Sequence, residues 1–232
     1  MLEIIPLKAE HLADAALLVS QRYRRLLEQE PYLPQHYAET GNLLPLLQNI
    51  LKEAGNGVAA FRKNRLAGFL TGWQMSSFRG KRSVYSPEWA NAAELEDSAH
   101  IYEEMYSHLS TTWFAEKYIA HYISLFPNDV NALRAWNWMG FGMFAIDAIR
   151  GLEPIQNVVG DMDIRRAEPR DIEQVMELHN ALWQYMKGSP IFLLSEKRDR
   201  AYYEEWLGNP DKVIWLAYSN DEPVASMRLG PA

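Results

Sequence analysis

Apolar residues recur with a helical period in two long stretches near the start of the chain. Residues 11–29 and then residues 37–54 each carry one continuous apolar stripe, which is typical of amphipathic helices. The two prolines of EPYLPQ separate these stretches, and the GNG at 55–57 ends the second one. A short strand at residues 2–7 precedes them, so the chain is predicted to open with a strand and two helices.

Shorter segments follow, in which strand and helix patterns alternate. VAAFRKNRLAGFLTGWQM (58–75) predicts a hairpin that turns at residues 63–65, and SVYS (83–86) predicts a further strand after the polar link SSFRGKR. The other predicted elements, in chain order, are a helix at 98–117, the strand YISLF, a helix at 130–139 and the strand MFAIDAI.

The same pattern starts again after residue 161. LEIIPLKAEHLADAALLVSQRY (2–23) aligns with MDIRRAEPRDIEQVMELHNALW (162–183), and KVIWLAYSNDEPVASMRLG repeats the hairpin pattern. Internal self-similarity indicates a repeated structural unit. The sequence therefore predicts a complete module at 1–151, a linker at 152–161 and the N-terminal half of a second module at 162–232.

Composition narrows the class of protein. The chain is 48% hydrophobic, carries a net charge of −7 and contains no cysteine, which excludes disulfides and thiolate metal sites. Without a basic run, neither nucleic acid nor a membrane surface is an expected partner. His100 and His108 lie two turns apart on one predicted helix, too far to share a metal ion, so no metal site is expected. The start lacks a signal-peptide pattern, which favours a cytoplasmic location.

The segment NALRAWNWMGFGMF (131–144) carries a family resemblance. Gly140 and Phe141 follow a helix on which Ala132 and Trp136 take the positions of an alanine and a tyrosine in GNAT acyltransferases, and Asp129 takes the region of an asparagine. The order of elements is also similar to that family. The fold class is thus expected to be α/β (α+β), a GNAT-like mixed central sheet flanked by helices.

This resemblance implies transfer of an acetyl group from acetyl-coenzyme A to the amine of a small molecule or peptide. Two splayed parallel strands would open a cleft, and its strand edge would bind the extended cofactor. Tyr85 and Ser86 are then expected to meet the pantetheine through their backbone, and Asn128, Asn131 and Trp136 to close the other side of the cleft. The catalytic residues are not assigned.

Several residues depart from the family pattern. PEWANAAELEDSAHIY (87–102) has no glycine and no basic side chain, and Glu94, Glu96 and Asp97 would face the cofactor's diphosphate. Each such pair of like charges costs about 1 kcal/mol at 4 Å in water. The indole of Trp136 cannot deliver a proton near neutral pH. A second hypothesis is therefore a non-catalytic scaffold or interaction module that has lost acetyl-coenzyme A binding.

Four residues allow both a packing role and a chemical role. Trp136 and Trp138 face different sides of their helix, so one is expected in the core while the other could line the cleft. His121 is expected to be half-buried and hydrogen-bonded, and Glu88, although it lies where this fold often holds a base, is interpreted as a solvated loop carboxylate. Half a module leaves a strand edge and an apolar face uncovered, which predicts a homodimer or docking of residues 162–232 on the first module.

Overall fold

The computed structural model describes residues 2–78, 80–147, 151, 153–154, 162–188 and 197–231. The chain divides into two compact units, Met1–Leu152 (unit one) and Glu153–Ala232 (unit two). No helix in these described ranges is both long and apolar enough to cross a membrane.

Unit one contains seven strands and four α-helices among its described residues. In chain order they are β1 (Glu3–Pro6), α1 (Leu12–Leu27), α2 (Thr40–Ala54), β2 (Gly57–Arg62), β3 (Arg65–Thr71), β4 (Trp73–Phe78), β5 (Lys81–Ser86), β6 (Asn91–Ala93), α3 (Ser98–Ala115), β7 (Ala120–Ile123) and α4 (Val130–Trp138). The strands form a sheet ordered β1-β2-β3-β6 and a second ordered β4-β5-β7. All neighbours are antiparallel except β5 and β7, which are parallel.

Two breaks separate the two sheets. Only Gly72 lies between β3 and β4, and a Cβ there would stand 2.8 Å from Val84 Cγ1 and 2.9 Å from the Tyr85 main-chain oxygen, so the close approach of β5 requires glycine. On the neighbouring strand, residues 87–90 separate β5 from β6. Strand pairing is thus interrupted where β5 ends.

Helices cover both faces of the unit-one sheet. Apolar residues of α1 and α2 pack on Ala59, Phe69 and Ala92. Those of α3 and α4 pack on the opposite face, which includes Ala60 and Leu70. Alternate residues of each strand therefore serve two separate core layers.

Most of the predicted elements of unit one are confirmed. The β2–β3 hairpin turns through Lys63 (φ 50°) and Asn64 (φ 61°), and α4 gives way at Gly140 (φ 92°), as the sequence pattern indicated. The polar link predicted at SSFRGKR was wrong where the structure describes it, because residues 76–78 end β4 and residues 81–82 begin β5, and the polar side chains of these residues lie at the surface. The three-residue β6 was missed, since so short a segment shows no periodicity.

The predicted last strand, MFAIDAI, is wrong where the structure describes it. Residues 143–147 form no strand, although Phe144 packs edge-on against Tyr122 of β7 at 5.6 Å. The apolar alternation of this segment reflects side-chain contact with β7. A strand also needs hydrogen-bond partners for its backbone, and β7 is only four residues long. Residues 148–149 lie outside the described ranges.

Unit two contains five described elements. They are β8 (Asp163–Arg166), α5 (Ile172–Lys187), α6 (Arg200–Gly208), β9 (Val213–Ser219) and β10 (Glu222–Leu229). The strands form an antiparallel sheet ordered β10-β9-β8, and the hairpin turns through Asn220 and Asp221 at positive φ. This is the order and pairing of β1, α1, α2, β2 and β3 in unit one. The predicted linker lies outside the described residues except for residues 153–154.

An ion pair fixes the start of α5. Arg165 donates to both carboxylate oxygens of Asp171 at 2.8 and 2.9 Å, and the Glu168 amide donates to Asp171 Oδ2 at 2.8 Å. The Arg165 guanidinium, helped by that amide, lowers the pKa of Asp171 to about 2. At the matching position of unit one, His11 Nδ1 accepts from the Lys8 amide at 3.2 Å.

We expect Asp171→Asn to lower the free energy of unfolding of unit two by about 1–2 kcal/mol at pH 6, because a charge-assisted pair is lost. The pKa of Asp171 is about 2 when folded against 3.8 for the free side chain, so its contribution is present above about pH 4 and disappears as the pH falls toward 2. Hydrogen exchange of the α5 amides measures the first effect, and urea unfolding between pH 6 and pH 2.5 the second. Exposed Asp163→Asn is the control, and an unchanged pH dependence in Asp171→Asn would contradict the assignment.

Candidate functional site

The parallel strands β5 and β7 part at their C-terminal ends. Their register runs from Ser83 opposite Ala120 to Ser86 opposite Ile123, and the Ser124 amide makes a last bond to the Ser86 oxygen at 2.8 Å. The chain after β5 then turns, with the Ala90 amide bonded to the Pro87 oxygen at 2.9 Å. Ligand sites in α/β proteins commonly lie where neighbouring parallel strands diverge in this way.

A buried amide bridges the two strands at this point. Asn91 Nδ2 donates to the main-chain oxygens of Pro87 and Ser124 at 2.9 and 3.3 Å and to Ser86 Oγ at 3.2 Å. Its Oδ1 accepts from the Tyr102 hydroxyl at 3.1 Å. Burial raises the pKa of Tyr102 to about 12, so this hydroxyl keeps its proton and acts as a fixed donor.

Arg22 of α1 completes the network. Its guanidinium donates to the Tyr102 hydroxyl at 3.2 Å and to the main-chain oxygen of Glu88, and it lies 5.4 Å from the Phe126 ring centroid. Arg22 is only 6% exposed, and its Nε has no hydrogen-bond partner among the described residues. These contacts fix the turn after β5 and the segment after β7 relative to α1.

A pocket of about 210 Å³ opens where the strands part. The turn after β5 supplies Glu88 and Trp89, the segment after β7 supplies Phe126, and the other side is formed by α1, the α1–α2 loop and α2. Its remaining lining residues are Val19, Tyr23, Leu33, Pro34, Tyr37 and Leu43. The pocket is therefore apolar and aromatic, with one carboxylate in its wall.

Glu88 is half-buried, which corrects the interpretation of a freely solvated loop carboxylate. Burial raises the pKa of the Tyr23 hydroxyl, and the nearby Tyr37 hydroxyl and Glu88 carboxylate raise it further. Tyr23 donates its proton to the Pro34 oxygen at 2.9 Å, so it presents an acceptor oxygen to its surroundings. The polar groups of the pocket thus suit a ligand that donates hydrogen bonds.

A strand edge on β6 faces away from β3. The Thr71 amide donates to the Ala90 oxygen and the Glu94 amide to the Ala67 oxygen, so antiparallel alternation turns the backbone groups of Asn91 and Ala93 away from β3. Binding of an extended cofactor along a strand requires such a free edge. The edge lies at Asn91 and Ala93, further along the chain than the predicted Tyr85 and Ser86. Only the small size of the NAA triplet could have pointed to it.

That edge is covered by protein. Ala93 belongs to the same buried cluster as Ala132 and Trp136 of α4. The Trp136 indole is 3% exposed and lies 5.5 Å from the Tyr102 ring and 4.8 Å from the Phe141 ring, and its Nε1 has no hydrogen-bond partner in the part of the chain that the structure describes. Trp136 is therefore the tryptophan in the core, whereas Trp138 is 82% exposed.

The N-terminus of α3 is occupied by carboxylates. Glu94 pairs with Arg62 and Arg65, and Asp97 pairs with Arg62, while Glu96 is exposed. The two arginines offset only two of the three acidic charges. This end of the helix does not fit a diphosphate, in contrast to the usual anion preference of a helix N-terminus.

The other predicted cofactor residues do not gather in one cleft. Tyr85 is paired with β4 on one side and with β7 on the other, and Ser86 pairs with β7, so the main chain of Tyr85 lies inside the sheet rather than at a free edge. The Tyr85 hydroxyl remains near the opening, 3.0 Å from Ser124 Oγ. Asn128 is exposed and bonds to Gln29 at 2.8 Å, and Asn131 is exposed on α4.

His121 is half-buried and hydrogen-bonded, as predicted. Its Nδ1 lies 2.9 Å from the Tyr106 hydroxyl and its Nε2 3.2 Å from the Tyr118 oxygen. Burial lowers its pKa, which favours the neutral ring. Nε2 then donates to Tyr118 and Nδ1 accepts from Tyr106, a structural role between β7 and α3.

The order β1-α1-α2-β2-β3, followed by the strands β4 to β6, α3, the strand β7 parallel to β5, and α4, decides the fold type. Unit one has a GNAT-like fold. No protein-family model matches the chain, and no curated protein sequence matches it.

Solved structures similar to this chain include several acetyltransferases. A ribosomal-protein-alanine N-acetyltransferase from Brucella melitensis biovar Abortus 2308 is 12% identical, with 65% of this chain and 100% of that chain covered and a TM-score of 0.46. An aminoglycoside acetyltransferase from an uncultured soil metagenomic sample, in complex with sisomicin, is 14% identical over 66% and 97% (TM-score 0.45). Aminoglycoside N-acetyltransferase AAC(6')-Iy, in complex with CoA, is 11% identical over 66% and 96% (TM-score 0.46). Sisomicin and CoA are ligands of those two aminoglycoside acetyltransferases.

We expect Tyr102→Phe to destabilise unit one by about 1–3 kcal/mol, because it leaves Asn91 Oδ1 and one nitrogen of Arg22 buried without their partner. Tyr106→Phe is the matched control, since that hydroxyl is only half-buried and should cost less. Urea unfolding followed by circular dichroism measures both. Equal stability of Tyr102→Phe and the parent chain would show that the network is not a stabilising element.

Proposed function

We propose that unit one is a GNAT-type N-acyltransferase module that moves an acyl group, acetyl in the simplest case, from a coenzyme A thioester to an amine. The observation that carries the proposal is the pocket at the parting of β5 and β7, with the Glu88 carboxylate in its wall. An amine in this pocket would lie beside the opening between the strands. We further propose that unit two is the N-terminal half of a second module of the same kind.

The acyl donor, a coenzyme A thioester, fits the residues of this chain only in part. The backbone edge at Asn91 and Ala93 suits the amide groups of a pantetheine arm, whereas the carboxylates at the start of α3 do not suit the diphosphate. When bound, the thioester supplies an acyl carbon that an unprotonated amine can attack, with release of a thiol.

The chain's own residues would manage the protons. Glu88 takes a proton from the ammonium form of the acceptor, a role that needs a carboxylate within reach of the amine. The hydroxyls of Tyr85 and Ser124 form a hydrogen-bonded pair at the opening, in which either oxygen can donate to the other, so one of their two protons stays available for the departing thiolate. Tyr102 does not serve as the acid, because its hydroxyl is buried and its pKa is raised to about 12.

A second candidate function is a non-catalytic module that keeps the pocket and has lost the donor. It is favoured by the burial of Asn91, Ala93 and Trp136 in a single covered region. On this alternative, the indole takes the space that a pantetheine arm needs. The two functions differ in one property, which is binding of the thioester.

Titration calorimetry of the full chain with acetyl-coenzyme A and with S-acetylpantetheine separates them. An acyltransferase binds both, and we expect the two dissociation constants to agree within about tenfold because the acidic loop gains little from the diphosphate. No heat with either compound at millimolar concentration would contradict the proposed transfer. If Trp136→Ala binds both compounds more tightly than the parent chain does, and Trp136→Phe binds them as the parent chain does, the indole is the obstruction. That result would support the second candidate.

We expect Glu88→Gln to lower kcat/KM for the best acceptor from a panel of primary amines by at least about 100-fold, because the amide cannot accept the ammonium proton. Release of free thiol from acetyl-coenzyme A measures the rate. Glu30→Gln, an exposed carboxylate of the α1–α2 loop outside the pocket lining, should leave the rate unchanged. Equal rates for Glu88→Gln and the parent chain would remove Glu88 from the mechanism.

A further inference from the structure

The lining of the pocket has a distinctive balance of groups. Four of its nine side chains are aromatic, one is a carboxylate and none is cationic. Tyr23 and Tyr37 meet edge to face at 6.1 Å, and Tyr23 and Phe126 do so at 5.8 Å, so these three rings form one connected wall. Aromatic faces combined with a carboxylate attract organic cations.

The hydrogen-bonding groups agree with this balance. Tyr23 has committed its proton to Pro34 and offers an oxygen, and the Glu88 carboxylate only accepts. A ligand that fits these two groups donates hydrogen bonds, as an ammonium does. The rest of such a ligand would contact Val19, Leu33 and Leu43, whose side chains have no polar group.

Arg22 limits where the cation can lie. Its guanidinium is within 5.4 Å of the Phe126 ring centroid and does not line the pocket. The same guanidinium donates to the Glu88 main-chain oxygen. Because like charges repel, the ligand's charge belongs on the Tyr37 side of the pocket, beside the Glu88 side chain rather than its main chain, and Phe126 contributes an apolar wall. Tyr37 is 39% exposed, which places it at the rim where an ammonium keeps part of its water.

We propose that this pocket binds a small monocation with a hydrocarbon or aryl body, its ammonium beside Glu88 and Tyr37 and its apolar part against the inner wall. The inference rests on the proposed function only for the claim that this ligand is the acyl acceptor. A volume of about 210 Å³ restricts the ligand to one ring or a short chain. Polyhydroxylated or polycationic amines do not fit, since the inner wall would leave their polar groups without partners.

The test is calorimetric titration of the full chain with no acyl donor present. The probes are phenethylammonium, its neutral counterpart 2-phenylethanol, and benzyltrimethylammonium, which cannot be acylated. We expect both cations to bind at least tenfold more tightly than the alcohol. Glu88→Gln should weaken phenethylammonium at least tenfold and leave the alcohol within twofold, whereas Glu30→Gln should change neither.

The aromatic contribution is tested at the rim, where folding is least at risk. Tyr37→Leu should weaken benzyltrimethylammonium about three- to tenfold. Tyr32→Leu, an exposed tyrosine of the same loop outside the lining, is the matched control. Circular dichroism and urea unfolding confirm that each variant is folded before it is titrated.

The outcomes distinguish this inference from the proposed function. Equal affinity for amine and alcohol, or no effect of Glu88→Gln on amine binding, would overturn the inference even if the chain acetylates other amines. Selective binding of the cations supports it even if thioester titration shows that no transfer occurs. Tighter binding of a polycationic sugar amine than of phenethylammonium would also overturn it.

Discussion

A guanidinium buried away from carboxylates is the constraint on which unit one depends. Within the described residues Arg22 has no acidic partner, so its charge is held by a tyrosine hydroxyl, a main-chain oxygen and an aromatic ring. Burying a charge is costly unless it is well hydrogen-bonded. The groups that satisfy Arg22 come from α3, from the turn after β5 and from the segment after β7, and the last two form one side of the pocket. Fold and site therefore share one network.

The two sides of the sheet opening have different characters. On the α1–α2 side, an enclosed pocket presents a carboxylate and several rings. On the α3–α4 side, a strand edge of the right kind exists, but its residues are buried and Ala93 belongs to the same apolar cluster as Trp136. A site for the amine can thus persist while the site for the coenzyme A thioester is filled by protein. Binding of the thioester, rather than of the amine, therefore decides between the two candidate functions.

Helices and hairpins were predictable because their periodicity and turn residues are local. The repeats of Leu12, Val19 and Leu26, the Lys63-Asn64 turn and the Gly140 stop each act within a few residues. The site was less predictable because it depends on contacts distant in sequence. Arg22 meets Tyr102 across eighty positions, and nothing near Arg22 indicates burial. The cofactor edge was expected at Tyr85 and Ser86, because the sequence does not reveal that the break after β5 moves the free edge to Asn91 and Ala93.

The α1–α2 loop has a consequence for how such a protein can change. It supplies Leu33, Pro34 and Tyr37 to the pocket, yet it is anchored through few polar contacts, such as Tyr23 to Pro34 and Ser20 to Ala38. The sheet and the Arg22 network make their main contacts elsewhere. Exchange of this loop could therefore retarget the pocket while the scaffold keeps its stability, so that ligand choice and foldability can evolve as nearly independent traits.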